Sequence, residues 1–156
     1  MMLPTGKAGV RDTLNLMSKI TRSGKKNVAV RQTAVELTQG FAQKDWLREV
    51  NAVFNFVKNH IRYVRDIRGV ETLHTPEKVL ENEQGDCDDK SILLASLLES
   101  IGHPTRFVAV GFEPGKFSHV FVETKIGDKW ISLEATEPVP MGWRPKNIKS
   151  AMVVHN

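Results

Sequence analysis

Three residues of this chain have the types and the order of a thiol acyl-transfer site. The single cysteine, Cys87, stands in Gly85-Asp86-Cys87-Asp88-Asp89; His119 follows 32 residues later and Glu134 a further 15 on. In such a site a thiolate attacks a carbonyl, an imidazole takes and returns the proton, and a carboxylate orients the imidazole. A cysteine in the first turn of a helix has its thiolate favoured by the unpaired N–H groups there. Asp86, Asp88 and Asp89 oppose this wherever they point at the sulfur. As helix caps, Asp86 and Asp89 turn towards backbone N–H groups instead, so a thiolate here depends on His119 lying close. The Cys87 backbone N–H is the leading oxyanion donor, with Gln84 as a side-chain candidate.

These residues need elements to hold them. Asp86 is a suitable N-cap with Asp89 three positions on, as in a capping box. The helix expected from Cys87 to about Ile101 is apolar nearly all round, the pattern of a helix at the centre of a fold, and Gly102 and Pro104 stop it. The hydrophobic period then drops to two. Phe107–Val110 reads as a buried strand, and strands 118–126 and 129–136 flank a Gly127-Asp128 hairpin loop. With Ile126 opposite Lys129, His119 and Glu134 become diagonal neighbours on one face; a three-residue loop would put them on opposite faces. Val120, Val122, Ile126, Ile131, Leu133 and Ala135 share the core face. His119, Phe121, Glu123, Trp130, Ser132 and Glu134 share the other, expected to be the less buried. Ala151–Val154 is a final edge strand.

Upstream, Val10, Leu14 and Met17 recur at helical spacing, after a loose end over residues 1–9. Thr21–Asn27 has the composition of a linker, Val28–Gln39 reads as a second helix, and Asp45 opens a third. The third carries Trp46, Val50, Val53, Val57 and Ile61 on one stripe. An irregular stretch through Gly69 leads to a short helix beginning at Thr75-Pro76. Helices precede strands, so the fold class is α+β, with N-terminal helices and a central buried helix on an antiparallel sheet.

The chain's 156 residues suit one domain, expected over 28–156 behind a basic arm at 1–27. Residues 1–31 hold seven Lys and Arg against Asp12 alone, while the whole chain carries +4. The stretch 7–31 could therefore meet an acidic or protein partner. It has no aromatic residue to stack on bases, which argues against nucleic acid. A lone cysteine, with no apolar run long enough for a signal peptide or a bilayer span, points to a cytoplasmic protein away from the membrane. His60, His74, His103 and His155 form no metal-ligand spacing, and the Asp86–Asp89 cluster lacks a calcium loop, so no metal or cofactor is expected.

Taken together, the Gly-Asp-Cys helix start, Gly102-His103-Pro104-Thr105-Arg106 before a strand, Ser118-His119-Val120-Phe121 and Trp130-Ile131-Ser132-Leu133-Glu134 resemble the transglutaminase-like superfamily of papain-related thiol enzymes. The resemblance covers about residues 45–137. It implies Cys87 as nucleophile, His119 as general base and acid, and Glu134 as the orienting residue where the family usually has Asp. The stretch from Tyr63 to Asp89 is similar to small members encoded by bacteriophages and prophages, implying a phage source, host cytoplasm and an association with the virion. The function expected is a cysteine-dependent hydrolase or acyltransferase acting on a peptide or protein amide, or an ester, through a thioester. The alternative is a phage structural or assembly protein that uses the fold as a non-catalytic binding module.

Overall fold

A computed structural model describes residues 6–65 and 73–156 of the chain. The loose end expected at 1–9 and the irregular stretch through Gly69 fall partly outside these residues. Among the described residues the helices are α1 (Lys7–Gly24), α2 (Val28–Leu37), α3 (Trp46–His60), α4 (Pro76–Asn82) and α5 (Cys87–Ser100). The central one is α5. Every residue of it except Glu99 is buried, because α1 to α4 pack on it from one side and the sheet from the other.

The outer helices are amphipathic, and their apolar stripes face α5. On α1, Val10, Leu14 and Met17 are buried while Lys7, Arg11, Lys19 and Arg22 are exposed. The helix runs on through Thr21–Gly24, where composition suggested a linker. Two contacts explain the difference. The Thr21 hydroxyl donates to the Met17 carbonyl, and a Cβ at Gly24 would stand 2.4 Å from Pro76 Cγ and 2.9 Å from Ser96 Oγ. Only glycine allows so close an approach to α4 and α5. On α3, Val50, Val53 and Val57 join the core as expected, as does Ile61 just past its end, but Trp46 lies half exposed at the first position of the helix, before the stripe turns inward.

The strands are β3 (Thr105–Gly111), β4 (His119–Ile126), β5 (Lys129–Leu133) and β6 (Ser150–His155), in one antiparallel sheet of order β5-β4-β3-β6. The hairpin has the expected register, with Ile126 opposite Lys129 and Val122 opposite Leu133. Pairing ends at Leu133, so Glu134 lies just past the strand. A separate two-residue parallel pair, β1 (Arg62–Tyr63) with β2 (Gln84–Gly85), pins the chain immediately before α5.

One expectation about the sheet is corrected. The face carrying Phe121, Glu123, Ser132 and Glu134 is not the exposed one, since all four are buried. The segment after β5 returns over it: Ile148 packs on Val108, Val110 and Phe121. Arg144 joins Arg106 on the Glu123 carboxylate, at 2.9 and 2.6 Å, and the Ser132 hydroxyl donates to it as well. Strand alternation could not show a cover supplied by an irregular segment.

Candidate active site

The loop-to-helix junction at Cys87 is built as its residue types dictate. Asp86 caps α5 by accepting from the Asp89 N–H at 2.9 Å, and Asp89 returns the bond to the Asp86 N–H at 3.3 Å. Asp89 also accepts from the backbone N–H and the Nδ1 of His74, each at 3.0 Å, tying the segment just before α4 to the start of α5. Gly85 has no room for a side chain, because a Cβ would stand 2.6 Å from the Asp89 Cβ. Among the described residues the Cys87 N–H has no hydrogen-bond acceptor, as the first turn of a helix permits.

On the sheet, His119 opens β4 and Glu134 follows β5. The ring Nε2–H donates to Glu134 Oε2 at 2.5 Å, an assignment that follows from the carboxylate being the acceptor. Nδ1 is then the nitrogen open to proton transfer. The second carboxylate oxygen accepts from the Thr136 hydroxyl at 2.7 Å and from its N–H at 3.2 Å, so Glu134 is held on both sides. The chain neighbours Val120, Leu133 and Ala135 pack in the same buried cluster as Cys87.

Two of the three candidate residues are thus joined directly. The third, Cys87, is on α5, which packs against β4. Its thiol is 1% exposed and its own hydrogen bond runs to Asp88 Oδ1 at 3.9 Å. Burial pushes the thiol strongly up from its ordinary range, and the charges of Asp88 and Asp86 add to this. The expected capping roles of Asp86 and Asp89 are present, yet Asp88 faces the sulfur, and burial outweighs the helix terminus. The resting group is a thiol. Gln84, the other oxyanion candidate, is exposed and accepts from Arg62 at 3.0 Å.

Two features escaped sequence reasoning. Tyr63 lies within electrostatic reach of the site: burial first, with the carboxylates of Asp86 and Glu137 adding to it, raises its phenol. Lys90, an ordinary surface residue by type, is 2% exposed, and burial lowers its ammonium to about 8, with Glu134 acting in the opposite direction. Its spacing of three from Cys87 was the available signal. Both residues line an open cavity of about 340 Å³ between segments 58–63 and 135–138, which none of the three candidate residues lines. Among the described residues no cluster of His, Cys, Asp and Glu could hold a metal, and no helix is long and apolar enough to cross a membrane.

Comparison with known proteins places the fold. A profile of the transglutaminase-like superfamily matches residues 31–135. Among solved structures, the chain is similar to a candidate protease from Parabacteroides distasonis at 18% identity and a TM-score of 0.66, covering 82% of this chain and 26% of that one. It is also similar to a candidate cysteine protease from Cytophaga hutchinsonii, at 18% identity and a TM-score of 0.56, over 82% of this chain and 46% of that one. Legionella pneumophila LapG shares 17% identity and a TM-score of 0.52, over 78% of this chain and 71% of its own. The chain therefore spans less than half the length of the first two, and at these identities the likeness speaks for the fold. No curated protein matches its sequence. The chain belongs to the transglutaminase-like superfamily.

Proposed function

We propose that this member of the transglutaminase-like superfamily is a thiol hydrolase or acyltransferase. Its sulfur attacks an amide or ester carbonyl, and the acyl group passes through a thioester to water or an amine. The observation that carries the reading is the His119–Glu134 bond at 2.5 Å, on a strand packed against the helix that begins with the only cysteine. Cys87 is the nucleophile, His119 the general base and then acid, and Glu134 orients the ring. The Cys87 N–H, which meets no acceptor among the described residues, is the oxyanion donor. Because burial and Asp88 keep the sulfur protonated at rest, His119 must remove the proton as attack proceeds, rather than wait beside a preformed thiolate. Peptide or side-chain amide hydrolysis is the favoured outcome, in keeping with the neighbours described as candidate proteases. A phage source rests only on the likeness of residues 63–89 and contributes nothing to this chemistry.

The test is covalent labelling with an activated acyl ester, read by intact mass. Wild type is acylated at Cys87, and Cys87→Ala is not. His119→Ala slows the reaction by about a hundredfold or more, the usual contribution of a positioned general base. Equal labelling of wild type and Cys87→Ala ends the proposal.

A further inference from the structure

The open cavity of about 340 Å³ has no part in the chemistry above, yet three of its lining residues tie it to the site. Thr136 holds Glu134 through its hydroxyl. Tyr63 pairs with Gly85, two residues before Cys87. Lys90 is one turn along α5 from Cys87, and positions three apart on a helix share a face. Ligand pockets run from about 300 to 1,000 Å³, so this one suits a single amino-acid residue better than a large cofactor. Its lining is positively charged. Lys58, Arg62 and Lys90 stand against Glu137 alone, since His60 is bonded to Glu83. The three cations donate to neutral acceptors. Lys58 Nζ reaches the Val139 carbonyl at 3.2 Å, Arg62 Nη2 the Gln84 side-chain oxygen at 3.0 Å, and Lys90 Nζ the Ile61 and Lys58 carbonyls at 2.7 and 3.4 Å. None of the three forms an ion pair among the described residues. Lys90 is the most telling, because it is only 2% exposed. A charge so buried is costly without a counter-charge. An ammonium also has three donors, of which the two carbonyls take two.

Building on the thiol chemistry proposed above, we infer that this cavity is a substrate subsite for a carboxylate. A peptide residue close to the scissile bond enters between segments 58–63 and 135–138. Its carboxylate takes the remaining Lys90 donor and the Arg62 guanidinium, whose planar fork matches a carboxylate, with the Lys58 charge nearby. Glu137 opposes this from an exposed position, where water weakens its charge, whereas Lys90 acts from a buried one. The carboxylate belongs to an acidic side chain or to the end of a peptide; the chemistry recognised is the same.

The experiment titrates short peptides into the full chain carrying Cys87→Ala, so that nothing is turned over, and follows the backbone amide NMR signals. N-acetyl-Ala-Glu-Ala-amide is compared with its Gln counterpart, which reads an acidic side chain. N-acetyl-Ala-Ala with a free carboxylate is compared with its amide, which reads a chain end. In at least one pair the charged peptide shifts the signals of segments 58–63 and 135–138 and binds about tenfold tighter, the order expected of one hydrogen bond between charged groups. Adding Lys90→Met, or Lys58→Gln with Arg62→Gln, removes most of that preference. Equal or undetectable binding within both pairs overturns the inference, as does a preference undiminished in the variants. Cations that served only to close the end of α3 would leave the peptides undistinguished. Should Lys90→Met fail to fold, the exchange at Lys58 and Arg62, which are less buried, decides alone. The titration uses no thiol, so its failure counts against the subsite, while failure of the acyl labelling counts against the chemistry.

Discussion

At the scale of single residues, the decisive tension is at the sulfur. A helix start favours a thiolate, while burial and an adjacent carboxylate favour the thiol, and here the second pair prevails. Asp88 is the removable part of that opposition, since its Oδ1 accepts the thiol's hydrogen bond. Asp88→Asn keeps the acceptor and removes the charge. We expect its rate of alkylation by iodoacetamide at pH 9 to exceed wild type by about threefold to tenfold, since one unit of thiol titration is a tenfold change in thiolate. An unchanged rate would mean that access to the buried sulfur, not ionisation, limits the reaction. The types and order of Cys87, His119 and Glu134 were readable without coordinates because chemistry restricts which residues can do this work. The aim of Asp88 was not, because three successive aspartates look alike in a sequence and differ only in where the helix turns them.

At the scale of elements, the start of α5 joins stability to the site. Asp86 caps the helix, but burial, followed by the charge of Asp89, raises its carboxyl from 3.8 to about 6. The folded state therefore holds this proton more tightly than the unfolded chain does. Stability falls as pH rises from about 3.8 to 6, and the cost of the charge is fully present above that window. Asn caps as well as Asp but bears no charge. Asp86→Asn should thus gain on the order of 1 kcal/mol in urea unfolding at pH 7.5 and nothing at pH 3.5. A loss at pH 7.5 would show instead that the charged cap stabilises the helix. The capping box and the hairpin were legible because each is local, fixed by residues two or three apart. The parallel pair of β1 and β2 was not, since two residues carry no period, and Lys90 was not, since its acceptors come from another helix.

At the scale of the whole molecule, the N-terminal stretch has two descriptions with different consequences. Its excess of positive charge suggests an arm held off the domain, whereas α1 lays Val10, Leu14 and Met17 against the core and contacts both α5 and β6. The charge and the packing occupy opposite faces of one helix, so the composition of residues 1–31 read only the outer one. Burying three such side chains contributes about 1.5–3 kcal/mol each, and their removal would also bare the surface of α5 beneath them. That sum is comparable with the whole stability of an ordinary domain. Deleting residues 1–27 should therefore abolish cooperative thermal unfolding, or lower the midpoint by well over 10 °C, given about 2–4 °C per kcal/mol at 150–250 residues and somewhat more in a shorter chain. A detachable arm would leave the midpoint unchanged. Substituting Lys7, Arg11, Lys19 and Arg22 together by Gln separates the two faces of α1: it should leave the midpoint within a few degrees, because these side chains are exposed and isolated surface charges contribute about 0–1 kcal/mol. A large drop from that exchange would place the helix's stabilising contacts in its charges, and the apolar stripe would no longer account for its position.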